Sequence, residues 1–183
     1  MISLFPTNIV CVNNCNLDLE RLEQKCRNHQ LIEPSLQVSN HGGYQGHAFN
    51  DDELNLLIKG NIPQLEHKPI ESYQCKSWVN INGPGSYNGR HSHDPHEGTF
   101  LSGVFYVKCP EESGNIRFFD PRPHIQTAMD MKYYTDSSNY YWFPPVPNTL
   151  MMFPSWLEHD VDINKSTEER ISISFNIFNV KFK

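Results

Sequence analysis

The sequence predicts a mainly β fold with helices flanking it, on three observations. From about Ser77 onward, strand-length apolar runs follow one another with no helical period between them. Turn residues punctuate those runs: Gly83-Pro84-Gly85, Ser113-Gly114 and Asn164. Helical patterning is confined to the first part of the chain, which disfavours βαβ winding. At 183 residues the chain is about one domain long. It is read as a single domain, with a mixed helical and strand part over residues 1–76 and a β core over 77–183.

Taken in order, Ile9-Val10-Cys11-Val12 is a short β-rich run. Asn16 or Asp18 can then cap a helix that carries Leu19, Leu22 and Cys26 on one face and ends before Pro34. Residues 39–45 read as a turn-rich loop. Asn50-Asp51-Asp52-Glu53 reads as a capping box, with Asn50 accepting from the third amide and Glu53 reaching back. Its helix would bury Leu54, Leu57 and Ile58 and stop at Gly60. Strands are expected over residues 78–81, 101–107, 115–119, 149–153 and 170–178. Residues 121–147 form a longer connection, a lid or a substrate loop. Its Tyr133, Tyr134, Tyr140, Tyr141 and Trp142 either line a pocket or pack the connection.

Composition narrows the function classes. The chain has 15 Lys+Arg against 21 Asp+Glu, a net charge of -6, which disfavours a broad grip on nucleic acid or an anionic membrane. No apolar run approaches the roughly 20 residues of a membrane helix. The start, Met1-Ile2-Ser3-Leu4-Phe5-Pro6, lacks the basic and long apolar regions of a secretory signal. The cysteines are Cys11, Cys15, Cys26, Cys75 and Cys109, an odd set with no C-x-x-C pair. That disfavours a disulfide scaffold and a Cys-rich zinc site, and a reducing cytoplasm is the expected location.

The last strand admits two readings. Ile171, Ile173, Phe175 and Ile177 point one way; Arg170, Ser172, Ser174 and Asn176 point the other. The polar side is either wet or the interior of a barrel holding an anionic ligand, where Arg170 and Ser172 would donate to one carboxylate.

Imidazoles concentrate in residues 87–97. His91-Ser92-His93 on an extended segment puts both rings on one side, which suits two adjacent positions of one metal. Such a cluster in a Gly/Pro/Asn-rich loop can equally be a solvated loop. A third ligand must come from elsewhere, and His159, just past an apolar run and 11 residues before Arg170, can supply it. His29, His67 and His124 have no partner pattern and read as surface residues.

The order of these pieces resembles a known family. Ser39-Asn40-x-Gly42-Gly43-Tyr44-Gln45 and Trp78-Val79-Asn80 come first, then Asn88-x-x-His91-x-His93 and 101–106 (LSGVFY). Phe119-Asp120-Pro121-Arg122, then Phe153-Pro154-Ser155-Trp156-x-x-His159-x-Val161 and 170–176 (RISISFN) complete the series. Together they look like the double-stranded β-helix oxygenases that use Fe(II) and 2-oxoglutarate, prolyl hydroxylases among them. More narrowly, they resemble a small group found in marine bacteria and phages, for which the location would be the host cytoplasm.

The resemblance implies a jelly-roll barrel with iron at its mouth. His91, His93 and His159 would be the metal ligands, and Arg170, with Ser172, would hold the far carboxylate of 2-oxoglutarate. Tyr106 and Asn80 are nominated as further contacts to the cosubstrate. The superfamily's usual first motif is H-x-D or H-x-E, and this chain has H-x-H there. Asp94 is the reserve carboxylate ligand, and an ungapped register would instead bring Asp94-Pro95-His96 into the motif. The expected activity is hydroxylation of a small-molecule or peptide substrate with release of succinate and CO2. Two alternatives stay open: a three-histidine cupin-type dioxygenase that needs no keto acid, and a non-catalytic β-sandwich binding module.

Overall fold

A computed structural model describes residues 6–36, 38–62, 69–93, 98–122 and 140–183. In chain order these form β1 (Val10–Val12), α1 (Leu19–Ile32), β2 (Asn40–His41), β3 (Tyr44–Gln45) and α2 (Asp52–Asn61). Then come β4 (Ile70–Asn82), β5 (Tyr87–His91), β6 (Thr99–Lys108), β7 (Ile116–Phe119), β8 (Tyr140–Phe143), β9 (Thr149–Pro154), β10 (His159–Val161) and β11 (Arg170–Phe182). One sheet runs β1-β9-β6-β11-β4-β3 and the other β2-β5-β10-β7-β8. All the pairings are antiparallel.

Strand β11 organises both faces of the larger sheet. Its Ile171, Ile173, Phe175 and Ile177 are fully buried and pack in one cluster with Leu22 and Cys26 of α1 and Leu54 and Ile58 of α2. Each such side chain contributes about 2 kcal/mol of transfer free energy, so β11 is held firmly from the helix side. On the other side, Val104 and Tyr106 of β6 and Met151 and Phe153 of β9 meet Ile116 and Phe118 of β7. The two sheets therefore face each other as a double-stranded β-helix. The polar row of β11 looks into the space between them, which decides between the two readings of its alternation.

Strand β6 carries one glycine that the packing requires. Gly103 pairs with Phe175, and a Cβ there would lie 2.3 Å from the Phe175 ring and 2.5 Å from the Met151 carbonyl. No side chain fits so close an approach of backbone to ring.

Several local expectations are corrected. Of the two residues that could cap α1, Asp18 does so, its carboxylate accepting from the Arg21 amide at 3.0 Å. Asp51, not Asn50, caps α2 and accepts from the Leu54 amide at 3.1 Å. Glu53 does not reach back; it pairs with Arg21 of α1 at 2.8 Å. The cap shifts by one residue because Asp51 also binds Arg21 (2.6 Å) and Lys25 (2.9 Å), tying the two helices together. Gly60 lies inside α2, which continues to Asn61 because Ile62 just beyond it is drawn into the core. Residues 39–45 hold two short strands rather than only a loop, and Tyr140, Tyr141 and Trp142 belong to β8. His29 is half-buried, 2.8 Å from the His47 carbonyl and edge-on to Phe49, and so is not a surface residue. His67, His124, Tyr133 and Tyr134 lie outside the described residues.

Burial alone would raise the Asp51 pKa, but the bonds from Arg21 and Lys25 hold it well below the usual carboxylate range. A carboxylate depressed in the fold contributes stability above its unfolded pKa, and that contribution is lost as pH falls through the folded one. Asp51→Ala removes both the cap and the interhelical tie. It is expected to lower the unfolding free energy by about 2–4 kcal/mol, read as a shifted urea midpoint.

Candidate active site

The three histidines singled out in the sequence come from two neighbouring strands and the segment after one of them. His91 ends β5 and sits opposite His159 of β10 in the sheet register. His93 follows two residues later, its backbone amide donating to the Ser155 carbonyl at 2.9 Å. The ring centroids are 4.4 Å apart for His91 and His159, 5.2 Å for His91 and His93, and 5.3 Å for His93 and His159. One nitrogen from each ring lies within 4.8 Å of the others. Asp94 and His96, the alternative ligands, lie outside the described residues.

Two of these rings are oriented by their own backbone. The Nδ1–H of His91 donates to the Gly89 carbonyl at 2.7 Å, and that of His159 to the Leu157 carbonyl at 2.9 Å. Because a carbonyl can only accept, the proton sits on Nδ1 and the Nε2 lone pair stays free. Burial, then the neighbouring imidazole of His91, pushes His93 down to about 4 and His159 down to about 3. Burial also lowers His91, opposed by its hydrogen bond to the Gly89 carbonyl. Near neutral pH the cluster therefore presents neutral rings, the form that ligates a metal. His159 is also packed on Phe153 and Phe118, at centroid distances of 4.7 and 6.1 Å.

A narrow inner cavity of about 50 Å³ runs between the sheets from these rings. Its walls include His91, His93, His159, Arg170, Ser172, Tyr106 and Asn80, so every nominated residue lines one space. Ser172 pairs with Asn80 on one side and Tyr106 on the other, making a continuous row, with Arg170 two residues along β11. Arg170 is 2% exposed, which matters because a buried guanidinium demands acceptors. Its Nη1 donates to the Ser113 carbonyl at 2.6 Å and the Gly114 carbonyl at 3.1 Å. Among the described residues no acceptor meets its other nitrogens. Burial raises the Tyr106 phenol well above its ordinary range, so the hydroxyl keeps its proton and can donate. Asn80 donates to Ser174 at 2.9 Å, and its Oδ1 is buried without a partner.

Sequence reasoning left several lining residues unassigned. Ser39, Trp78, Asn88 and Ser174 also face the inner cavity. An outer groove of about 430 Å³ adjoins it and shares Ser39, Trp78, His91 and His93 as a common wall. Asn176 lines the groove on the inward row of β11, and its parity with Arg170 was the available signal. At the groove's edge Arg90 stacks on Phe119 at 3.9 Å and pairs with Glu158.

Two facing antiparallel sheets with imidazoles gathered between them define a class: jelly-roll proteins built around a candidate metal centre. The family follows from the sequence. The model of the family described as "Putative 2OG-Fe(II) oxygenase" matches residues 76–176, more than half of the chain, and the protein belongs to that family. Its fold is similar to that of a Pseudomonas putida prolyl-4-hydroxylase, with 16% identity, a TM-score of 0.67, and 94% of this chain and 92% of that one covered. It is also similar to the viral collagen prolyl hydroxylase of Paramecium bursaria Chlorella virus-1, with 17% identity, a TM-score of 0.64, and 92% and 94% covered. The α-ketoglutarate-dependent epimerase SnoN of nogalamycin biosynthesis is similar at 16% identity, with a TM-score of 0.71 and 97% and 81% covered. No curated protein matches the sequence.

Family membership makes the protein a 2-oxoglutarate/Fe(II)-dependent oxygenase, with Fe(II) as metal and 2-oxoglutarate as cosubstrate. The residues present fit both groups. Neutral imidazoles with the lone pair of two rings already freed suit a divalent metal, and a buried guanidinium with unmatched donors suits a carboxylate. All five cysteines are free. Among the described residues no helix is long and apolar enough to cross a membrane.

Proposed function

We propose that the protein is a dioxygenase that hydroxylates an organic acceptor while converting 2-oxoglutarate to succinate and CO2. In this reading His91, His93 and His159 hold Fe(II), and Arg170 with Ser172 holds the far carboxylate of the cosubstrate. Tyr106 and Asn80 make further contacts to it. The observation that carries the proposal is that the imidazole cluster and the buried guanidinium line one narrow cavity. Bound iron supplies dioxygen activation, coupled to oxidative decarboxylation of the keto acid.

The chain's own residues do the positioning. Arg170 offers a planar fork to a carboxylate, which a lysine cannot match, and its bonds to the Ser113 and Gly114 carbonyls fix its direction. The Tyr106 and Ser172 hydroxyls add neutral donors beside it. The outer groove, on the far side of the His91 and His93 wall, is where the acceptor approaches. Its volume lies within the roughly 300–1,000 Å³ of small-molecule sites, which also leaves room for a peptide side chain. A three-histidine dioxygenase working without a keto acid would leave Arg170 with no ligand. The whole chain acts as one oxygenase domain in this reading, in the cytoplasm, within the marine bacterial and phage branch of the family.

Anaerobic titration tests the proposal. The purified protein is expected to bind one equivalent of Fe(II) and to develop a weak visible charge-transfer band when 2-oxoglutarate is added. Iron uptake without a band would sink the cosubstrate assignment, and no stoichiometric iron would sink the metal centre.

A further inference from the structure

His93 differs from the other two rings in what orients it. His91 and His159 each bond the carbonyl two residues before them, so their own strands set their tautomer. His93 instead meets a side chain from the other sheet: the Asn176 amide nitrogen Nδ2 stands 3.2 Å from its Nδ1. The other end of that amide is 2.8 Å from the Ser102 hydroxyl, on the neighbouring strand β6. Ser102 is buried at 1% exposure and pairs with Asn176 in the sheet register, so the amide is braced from behind.

A ring that gives its Nε2 lone pair to a metal must carry its proton on Nδ1, and that proton needs an acceptor. Within the amide only Oδ1 accepts. If Nδ2 faces the ring, it donates to Nδ1 and drives the proton onto Nε2, where it blocks the metal. A half-turn of the amide exchanges its two ends with almost no change of shape. Ser102 suits either arrangement, since a hydroxyl both donates and accepts. We infer that Asn176 is the positioning residue of the metal centre, its Oδ1 accepting from His93 Nδ1–H with Ser102 accepting from Nδ2. This rests on the metal-centre reading above. It makes β11 the source of the third ligand's orientation as well as of the carboxylate anchor.

Metal affinity tests it without any turnover. Wild type, Asn176→Leu and Asn176→Asp are titrated with Co(II) or Zn(II) alone, in competition with a chromophoric chelator. Asn176→Leu is expected to weaken binding about 10–100-fold, the usual cost of losing a partner that orients a ligand. Asn176→Asp should bind as tightly as wild type or tighter, because a carboxylate can only accept. An aspartate variant as weak as the leucine one, or a leucine variant within about two-fold of wild type, overturns the inference. Independently of any variant, nitrogen NMR of the Zn(II)-loaded wild type should find His93 protonated on Nδ1, and a proton on Nε2 overturns it too. Failure of the wild type to take up metal would instead bring down the metal centre itself, and this inference with it.

Discussion

Replacing His159 with alanine is expected to abolish stoichiometric iron binding. The residue sits between Phe118 and Phe153, opposite His91, and its ring is the most buried of the three. Two remaining imidazoles, both following from one strand, cannot close a facial set. The fold should survive, because the ring is held chiefly by one bond to the Leu157 carbonyl and by aromatic contacts. Iron retained after desalting, with circular dichroism to confirm folding, is the measurement. Full retention would remove His159 from the site.

The second large effect is expected at Arg170. Arg170→Met keeps the length of the side chain but removes the guanidinium, and should weaken 2-oxoglutarate binding by about 100-fold or more while leaving iron uptake unchanged. That magnitude corresponds to about 3 kcal/mol, ordinary for truncating one partner of a desolvated ion pair. Arg170→Lys should recover only part of it, since an ammonium cannot reproduce the fork. The charge-transfer titration reads both variants. A methionine variant that binds the keto acid like wild type would show that the carboxylate rests elsewhere. Because Nη1 also serves the Ser113 and Gly114 carbonyls, a urea midpoint should accompany each measurement.

What the sequence made legible follows the strength of local patterning. The strand-length apolar runs of β6 and β9 were readable from their composition, and β11 from its sustained alternation. The two-residue strands β2 and β3 and the three-residue β10 were not, since their pairing is dictated by β4, β5 and β7 rather than by their own composition. The α2 cap was misplaced by one residue because the deciding partners, Arg21 and Lys25, lie on a different helix. At the site, the H-x-H pair, His159 and Arg170-x-Ser172 announced themselves by residue type and order. Asn176 did not, although it continues the same inward row, because an asparagine on a strand carries no chemical signal until the ring it touches is known. The outer groove was beyond reach for the same reason: it is made of residues from β2, β4, β5 and β11 that only the fold assembles.

The two-sided nature of β11 bears on how such a protein can be damaged. Along a single stretch of backbone, successive positions answer to different demands, one set to cohesion with the helices and the other to the contents of the cavity. Damage at one parity should therefore surface as lost stability and at the other as lost ligand or metal binding, so adjacent residues fail in different ways.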